Sequence, residues 1–330
     1  MKASRLQASW YTDGPAPAVL RPLATLYGSL ASARRRRLQA RAQHVDAPVI
    51  VVGNIAVGGT GKTPLVIWLV EQLRAWGWRP GVVSRGYGAR PPRLPCEVLP
   101  ESDPAECGDE PVLVAQRTGA PVVIAPDRVA ACRTLLAHGN VDIIVSDDGL
   151  QHYRLARDLE IGVVDGARGL GNGALLPAGP LREPPARLRE LDLVVVNGDG
   201  WSEPGLPLLR MRLQADLLRK LAGEERSDLV AFAGRRVHAV AGIGHPPRFF
   251  ATLRAAGIEV IEHAFADHHR YRPQDLHFGD ALPVLMTEKD AVKCRPFAQA
   301  HWWTLPVSAA FDAADADRVQ ESVALLRTMR

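Results

Sequence analysis

Short apolar runs alternate with amphipathic stretches along most of this chain. Residues 49–52 are apolar at every position (Val49, Ile50, Val51, Val52). Comparable runs predict strands at 81–84, 121–125, 141–146, 159–164 and 193–196, with helices at 64–75, 109–116 and 127–137 between them. Strands that are apolar on both faces fit a sheet covered on both sides, which is the habit of parallel sheets. Residues 89–108, rich in proline and polar groups, are expected to form a loop. Past a glycine- and proline-rich stretch near 198–207 a second set of strands is expected at 237–241, 259–263, 283–286 and 303–307. A helix ending near 256 and a closing helix at 313–329 complete it. The pattern predicts an α/β protein with a mainly parallel P-loop NTPase-type sheet domain, a second smaller α/β domain, and a cleft between them. The expected division is 1–43, 44–205 and 206–330.

The N-terminal segment has a different pattern. Val19, Leu20, Leu23, Leu26, Tyr27 and Leu30 recur at helical spacing, Pro22 suits the first turn, and Arg34 to Arg37 with Arg41 form a basic end. Such a helix can lie on an anionic leaflet, with Trp10 and Tyr11 at headgroup depth, or pack on the protein's own core. Periodicity alone leaves both open. No aromatic-interleaved basic surface accompanies the arginines, so nucleic acid is not expected as a partner.

The run 50–63 carries the most specific chemistry. An apolar strand leads into Ala56-Val57-Gly58-Gly59-Thr60-Gly61-Lys62-Thr63 and then a helix. Glycines let backbone N–H groups approach phosphate oxygens, the lysine reaches the outer phosphates, and the threonine hydroxyl suits Mg²⁺. Ala56 stands where the generic pattern has a first glycine. ATP or GTP is the expected ligand.

Composition adds limits. The 330 residues, 47% hydrophobic and 23% charged with net charge +4, suit a globular protein of two domains. Cys96, Cys107, Cys132 and Cys294 are too dispersed for a metal motif or a disulfide framework, which favours a reducing compartment. No signal-peptide order and no run of about 18 apolar residues is present.

Several polar groups remain. Asp147 and Asp148 follow an apolar strand, where a P-loop protein places the acidic partner of Mg²⁺. Gln151 and His152 follow closely. Asp109 and Glu110 open an expected helix, and by position alone they read as capping acids. Asp267-His268-His269-Arg270-Tyr271 is a dense polar group in which a carboxylate can tune a histidine. It lacks a third ligand at zinc spacing. Arg182 sits in a proline-rich loop and suits either a phosphate contact or a surface ion pair. Lys289, after a strand, can reach nucleotide or substrate.

In chain order, these motifs resemble the tetraacyldisaccharide 4'-kinase family, the lipid A 4'-kinases. The matching runs are 52–64, 84–88, 108–111, 127–128, 147–152, 176–184, 241–244, 267–268 and 287–293. The resemblance implies transfer of the ATP γ-phosphate to the 4'-hydroxyl of a tetraacylated glucosamine disaccharide 1-phosphate, in lipid A biosynthesis. It also implies peripheral attachment to the cytoplasmic face of the inner membrane, and it turns the N-terminal helix into a membrane contact. No obligate protein partner is evident. By the same resemblance Lys62 and Thr63 keep their P-loop roles, and Asp109 is the catalytic base. His268 tunes that base across the domain cleft, and Asp147, Asp148 and Glu110 stand on the Mg²⁺ side. Asn54, Tyr87, Arg128, Gln151, His152 and Arg182 are substrate or active-site contacts.

Overall fold

The computed structural model describes residues 9–11, 14 and 16–328. It divides into two compact units. One contains the chain through Arg85 together with Ala125–Leu213 and the segment from Ala309; the other contains Gly86–Ile124 and Gln214–Ser308. The expected contiguous spans group the chain differently. Residues 86–124 fall in the second unit because the Asp109–Thr118 helix packs on the Glu288–Cys294 helix and the strands Cys96–Val98 and Val122–Ile124 pair antiparallel beside it.

The first unit is built on parallel strands in the order Leu208–Ala215, Leu193–Asn197, Leu159–Asp165, Val49–Gly53, Ile143–Asp147, Pro80–Ser84. Every residue of the Val49–Gly53, Ile143–Asp147, Leu193–Asn197 and Pro80–Ser84 strands is buried, as continuous apolar runs demand of a sheet covered on both faces. The Lys62–Ala75 helix buries Leu65, Val66, Leu69, Val70 and Leu73. The strand at Leu208–Ala215 was not expected from the pattern. Its arginines at 210 and 212 interrupt the apolar run, and alternating burial makes it a half-covered outer strand.

The second unit holds a six-stranded sheet in the order Arg226–Ser227, Leu218–Lys220, Trp302–Leu305, Val284–Thr287, Arg236–Ala241, Glu259–Ala264. Strand alternation splits its core in two. Val237, Ala239 and Ala241 join Phe249, Phe250 and Leu253 on one face, while Val240 joins Met286 and Trp302 on the other. The loop expected at 89–108 contains the short strand Cys96–Val98 and a helical turn at Pro104–Cys107, which Asp103 caps.

The N-terminal helix runs over Arg21–Gln39 and carries Arg36 and Arg37 in its last turn. Its apolar residues divide between two faces. Ala24 is buried, the Tyr27 hydroxyl donates to the Arg182 carbonyl at 3.2 Å, and a Cβ on Gly28 would meet the Leu175 side chain. Val19, Leu23, Leu26 and Leu30 stay 52–81% exposed. Trp10 departs from expectation. It is buried, and its carbonyl accepts the Asn172 N–H at 2.8 Å, because residues 9–11 fold onto the 170s loop. Among the described residues no helix is long and apolar enough to cross a membrane.

Burial predicts opposite responses to two truncations. Trp302→Ala, which empties a fully buried site, should cost about 3–5 kcal/mol in denaturant unfolding. Leu26→Ser, on the exposed face, should stay within about 0.5 kcal/mol of the parent. A large loss from Leu26→Ser would mean that this face is covered in the folded protein.

Candidate active site

The first unit gathers its polar residues at the C-terminal ends of its parallel strands. Val52 is in register with Asp147, and Asp165 with Asn197. The Gly-Lys-Thr loop leaves the Val49–Gly53 strand there and enters the Lys62–Ala75 helix, whose first residues are Lys62 and Thr63. Gly61 is required twice. Its φ is +93°, and a Cβ would lie 2.3 Å from Asn197 Nδ2. Asn197 Nδ2 in turn donates to the Thr60 carbonyl at 3.0 Å.

Lys62 Nζ lies 3.2 Å from Asn54 Oδ1 and 3.5 Å from Asp148 Oδ1. Arg182 Nη1 donates to both Asp148 carboxylate oxygens at 3.2 Å and to Gln151 Oε1 at 3.2 Å. Gln151 Nε2 donates to Glu183 Oε1 at 2.7 Å and to the Asn54 carbonyl at 3.2 Å. Burial raises the proton affinity of Asp148, but Lys62 and Arg182 outweigh it and hold the carboxyl at about 2. Its neighbour Asp147 is buried and accepts from Ser84 Oγ at 3.3 Å. Asp148 also has φ +46°, an unusual conformation for a side-chain-bearing residue at a strand end. The structure therefore brings Asn54, Lys62, Asp148, Gln151 and Arg182 into one hydrogen-bonded group.

Arg128 and His152 lie nearby, in a cleft of about 230 Å³ that Arg34, Arg85 and Arg154 also line. Arg128 is almost fully buried and donates to the Ala125 carbonyl at 2.7 Å and the Asp147 carbonyl at 3.2 Å. Burial, then the charges of Arg128, Arg85 and Arg34, push the His152 imidazole down to about 3, so it is neutral at physiological pH. A neutral imidazole among guanidinium groups suits a polar, anionic ligand.

The second unit holds the other group. His268 Nδ1 lies 3.0 and 3.1 Å from the two Asp109 carboxylate oxygens. Lys293 Nζ is 3.5 Å from Asp109 Oδ2 and 3.0 Å from Asp290 Oδ1. Lys289 Nζ reaches Glu110 Oε1 at 2.9 Å and Asp267 Oδ1 at 3.0 Å. Tyr87, largely exposed, tilts its ring over His268 at 5.2 Å between centroids. The expectation that Asp109 and His268 meet across two domains differs from this arrangement, since both lie in the second unit. Burial raises the Asp109 carboxyl, but the His268 hydrogen bond and the Lys289 and Lys293 charges bring it down to about 2. The hydrogen bond to Asp109 raises His268 above its ordinary 6.5 against the opposing effect of burial. His268 is the other described non-glycine residue with positive φ, at +59°. Asp109 is at the helix start that capping chemistry favours, yet its carboxylate is turned to His268 and to the Glu110 N–H at 3.0 Å.

Sequence reasoning passed over Lys293, Asp290, Glu183, Asn197 and Arg168. Lys293 and Asp290 fell within the 287–293 match and Glu183 within the 176–184 match without a catalytic or binding role, and Asn197 and Arg168 follow from contacts across long sequence separations.

A parallel sheet with a Gly-Lys-Thr loop and two strand-end aspartates defines the P-loop class of nucleotide-dependent proteins. Residues 16–324 match the family model described as tetraacyldisaccharide-1-P 4'-kinase, and the chain belongs to that family. It is 52% identical to the tetraacyldisaccharide 4'-kinase of Azotobacter vinelandii over 98% of both chains. It is 53% identical to that of Alkalilimnicola ehrlichii over 99% of both. Its fold is similar to the crystal structure of LpxK from Aquifex aeolicus in complex with ATP, with TM-score 0.78, 26% identity, and coverage of 94% of this chain and 98% of that one.

The shifts of His268 and Asp109 set a pH dependence. A raised His268 stabilises the fold fully below 6.5 and loses that contribution as pH rises through its folded value. The depressed Asp109 contributes above 3.8 and loses it as pH falls towards about 2. The pair is therefore strongest between these limits. His268→Gln should destabilise most near about pH 5.5 and progressively less towards about pH 9 in urea unfolding. A penalty that is the same at both pH values would contradict the charge pairing.

Proposed function

We propose that Lys62, the loop amides of residues 56–63 and Asp109 carry out phosphoryl transfer from ATP to the 4'-hydroxyl of a tetraacylated glucosamine disaccharide 1-phosphate. The chain is a tetraacyldisaccharide 4'-kinase, the activity its family and relatives bear by name, and acts in lipid A biosynthesis. The observation that carries the residue assignment is the pairing of a buried carboxylate, Asp109, with the His268 imidazole, with Lys293 beside the carboxylate and Lys289 beside the imidazole. Phosphoryl transfer needs positioning and neutralisation of charge more than covalent chemistry. Lys62 and the loop amides would face the negative charge developing on the γ-phosphate. Asp109 would accept the sugar hydroxyl's proton, with His268 setting its proton affinity.

Among the described residues no three His, Cys, Asp or Glu side chains converge as a protein-only metal cage. Mg²⁺ carried by a nucleotide keeps waters and takes one or two carboxylates. Thr63 with Asp147 and Asp148 offers the hydroxyl and carboxylate oxygens for it, and bound Mg²⁺ would neutralise charge on the phosphate chain. Glu110, expected on the metal side, is engaged by Lys289 and serves the Asp109 cluster in this reading. The cleft of Arg34, Arg85, Arg128, His152 and Arg154 would receive the substrate's anionic headgroup. The exposed Val19, Leu23, Leu26 and Leu30, followed by Arg34 to Arg37, would rest on the anionic cytoplasmic face of the inner membrane.

Two measurements check this reading. With Mg·ATP and substrate in mixed micelles, Lys62→Ala should leave almost no transfer, and Asp109→Ala should lose about a hundredfold or more in turnover while still binding ATP. Normal turnover by Asp109→Ala would remove it as the base. Cosedimentation with phosphatidylglycerol vesicles should fall when Leu23, Leu26 and Leu30 are changed together to serine. Unchanged pelleting would move the membrane contact elsewhere.

A further inference from the structure

The phosphate loop is held by side chains from distant parts of the chain. The Tyr11 hydroxyl donates to the Val57 carbonyl at 3.2 Å. The Arg168 guanidinium donates through Nη2 to the Gly59 carbonyl. Arg168 is itself fixed. Asp165 Oδ2 accepts from it at 3.3 Å, and its guanidinium lies over the Tyr11 ring at 5.2 Å. Asp165 also accepts the Ala167 and Arg168 N–H groups at 3.0 Å, pinning the turn that presents the arginine. The Arg168 Nε is buried with no partner, and Nη1 lies 3.4 Å from where a Gly58 Cβ would stand. The arginine is thus pressed against the loop, where Gly58 has φ +107°.

Peptide planarity turns these contacts into a constraint. In a trans peptide, the carbonyl of one residue and the N–H of the next point in opposite directions. Pinning the Val57 carbonyl therefore sets the Gly58 N–H, and pinning the Gly59 carbonyl sets the Thr60 N–H. Asn197 does the same for Gly61 through the Thr60 carbonyl. In a loop with glycine at 58, 59 and 61, these peptides would otherwise rotate readily.

We infer that Tyr11 and Arg168 are positioning residues of the phosphate loop, holding the Gly58 and Thr60 N–H groups towards the nucleotide and making residues 9–11 part of the nucleotide site. The inference rests on the nucleotide reading of that loop. It gives residues 9–11 a task separate from the exposed apolar face of the helix that follows them. Loss of the Tyr11 contact weakens ATP binding even where no membrane is present.

Calorimetric titration of the full-length protein with ATP and Mg²⁺, in detergent without lipid substrate, tests this. Arg168→Ala should weaken ATP binding about tenfold and Tyr11→Phe about threefold, with Arg168→Lys recovering part of the loss. In turnover assays the KM for ATP should rise by similar factors while the KM for the lipid stays unchanged, a split that general destabilisation does not produce. Should Arg168→Ala fail to fold, Tyr11→Phe, which keeps the ring and deletes one oxygen, carries the test. ATP affinity equal to the parent's in the folded variants overturns this inference alone. A parent protein that does not bind ATP overturns the nucleotide reading and this inference with it.

Discussion

The central strand Val49–Gly53 is the constraint on which the first unit depends. Flanked by Ile143–Asp147 and Leu159–Asp165, both parallel to it, it brings three strand ends to one level. One end feeds the glycine loop, the second carries Asp147 and Asp148, and the third carries the Asp165 turn with Arg168. A parallel sheet buried on both faces cannot slip in register without exposing its apolar residues. The alignment of Lys62 with Asp148 is therefore a consequence of core packing, and the polar group at the strand ends inherits its precision from the apolar one beneath.

The second unit solves a different problem. Asp109 is 5% exposed, and a buried carboxylate would ordinarily take up a proton. His268, Lys289 and Lys293 reverse that tendency. The arrangement keeps Asp109 ionised, at the cost of a weakened intrinsic basicity. His268 offsets this. Once it loses its own proton, one positive charge leaves the neighbourhood and the carboxylate gains proton affinity. Asp290, which also takes the Gly242 N–H at 2.9 Å, the Thr287 hydroxyl at 2.6 Å and the Tyr271 hydroxyl at 3.0 Å, fixes Lys293 beside this pair.

Legibility in the sequence followed locality. The glycine loop is a contiguous run whose spacing states its own chemistry, and the strands at 49–53, 143–147 and 193–197 begin as continuous apolar stretches. The alternating strand at Leu208–Ala215 was hidden by its arginines, and the short Cys96–Val98 strand by prolines around it. Asp109 and His268 lie 159 residues apart, so only the family resemblance suggested a relation between them. Residue pattern alone left Asp109 a helix cap. Trp10 and Tyr11 looked like interfacial aromatics, because an aromatic pair before an amphipathic helix carries no mark of what it folds against. Arg168 looked like any loop arginine, since its partners Gly59 and Tyr11 are far away in the chain.

The most direct measurement is position-resolved ³¹P NMR of the lipid formed from Mg·ATP and a tetraacyl disaccharide 1-phosphate. The account predicts a second phosphomonoester at the 4'-position of the distal glucosamine, formed by the parent protein and absent with Lys62→Ala. ATP binding without any phosphorylated lipid, or a new phosphate at another hydroxyl, would contradict it.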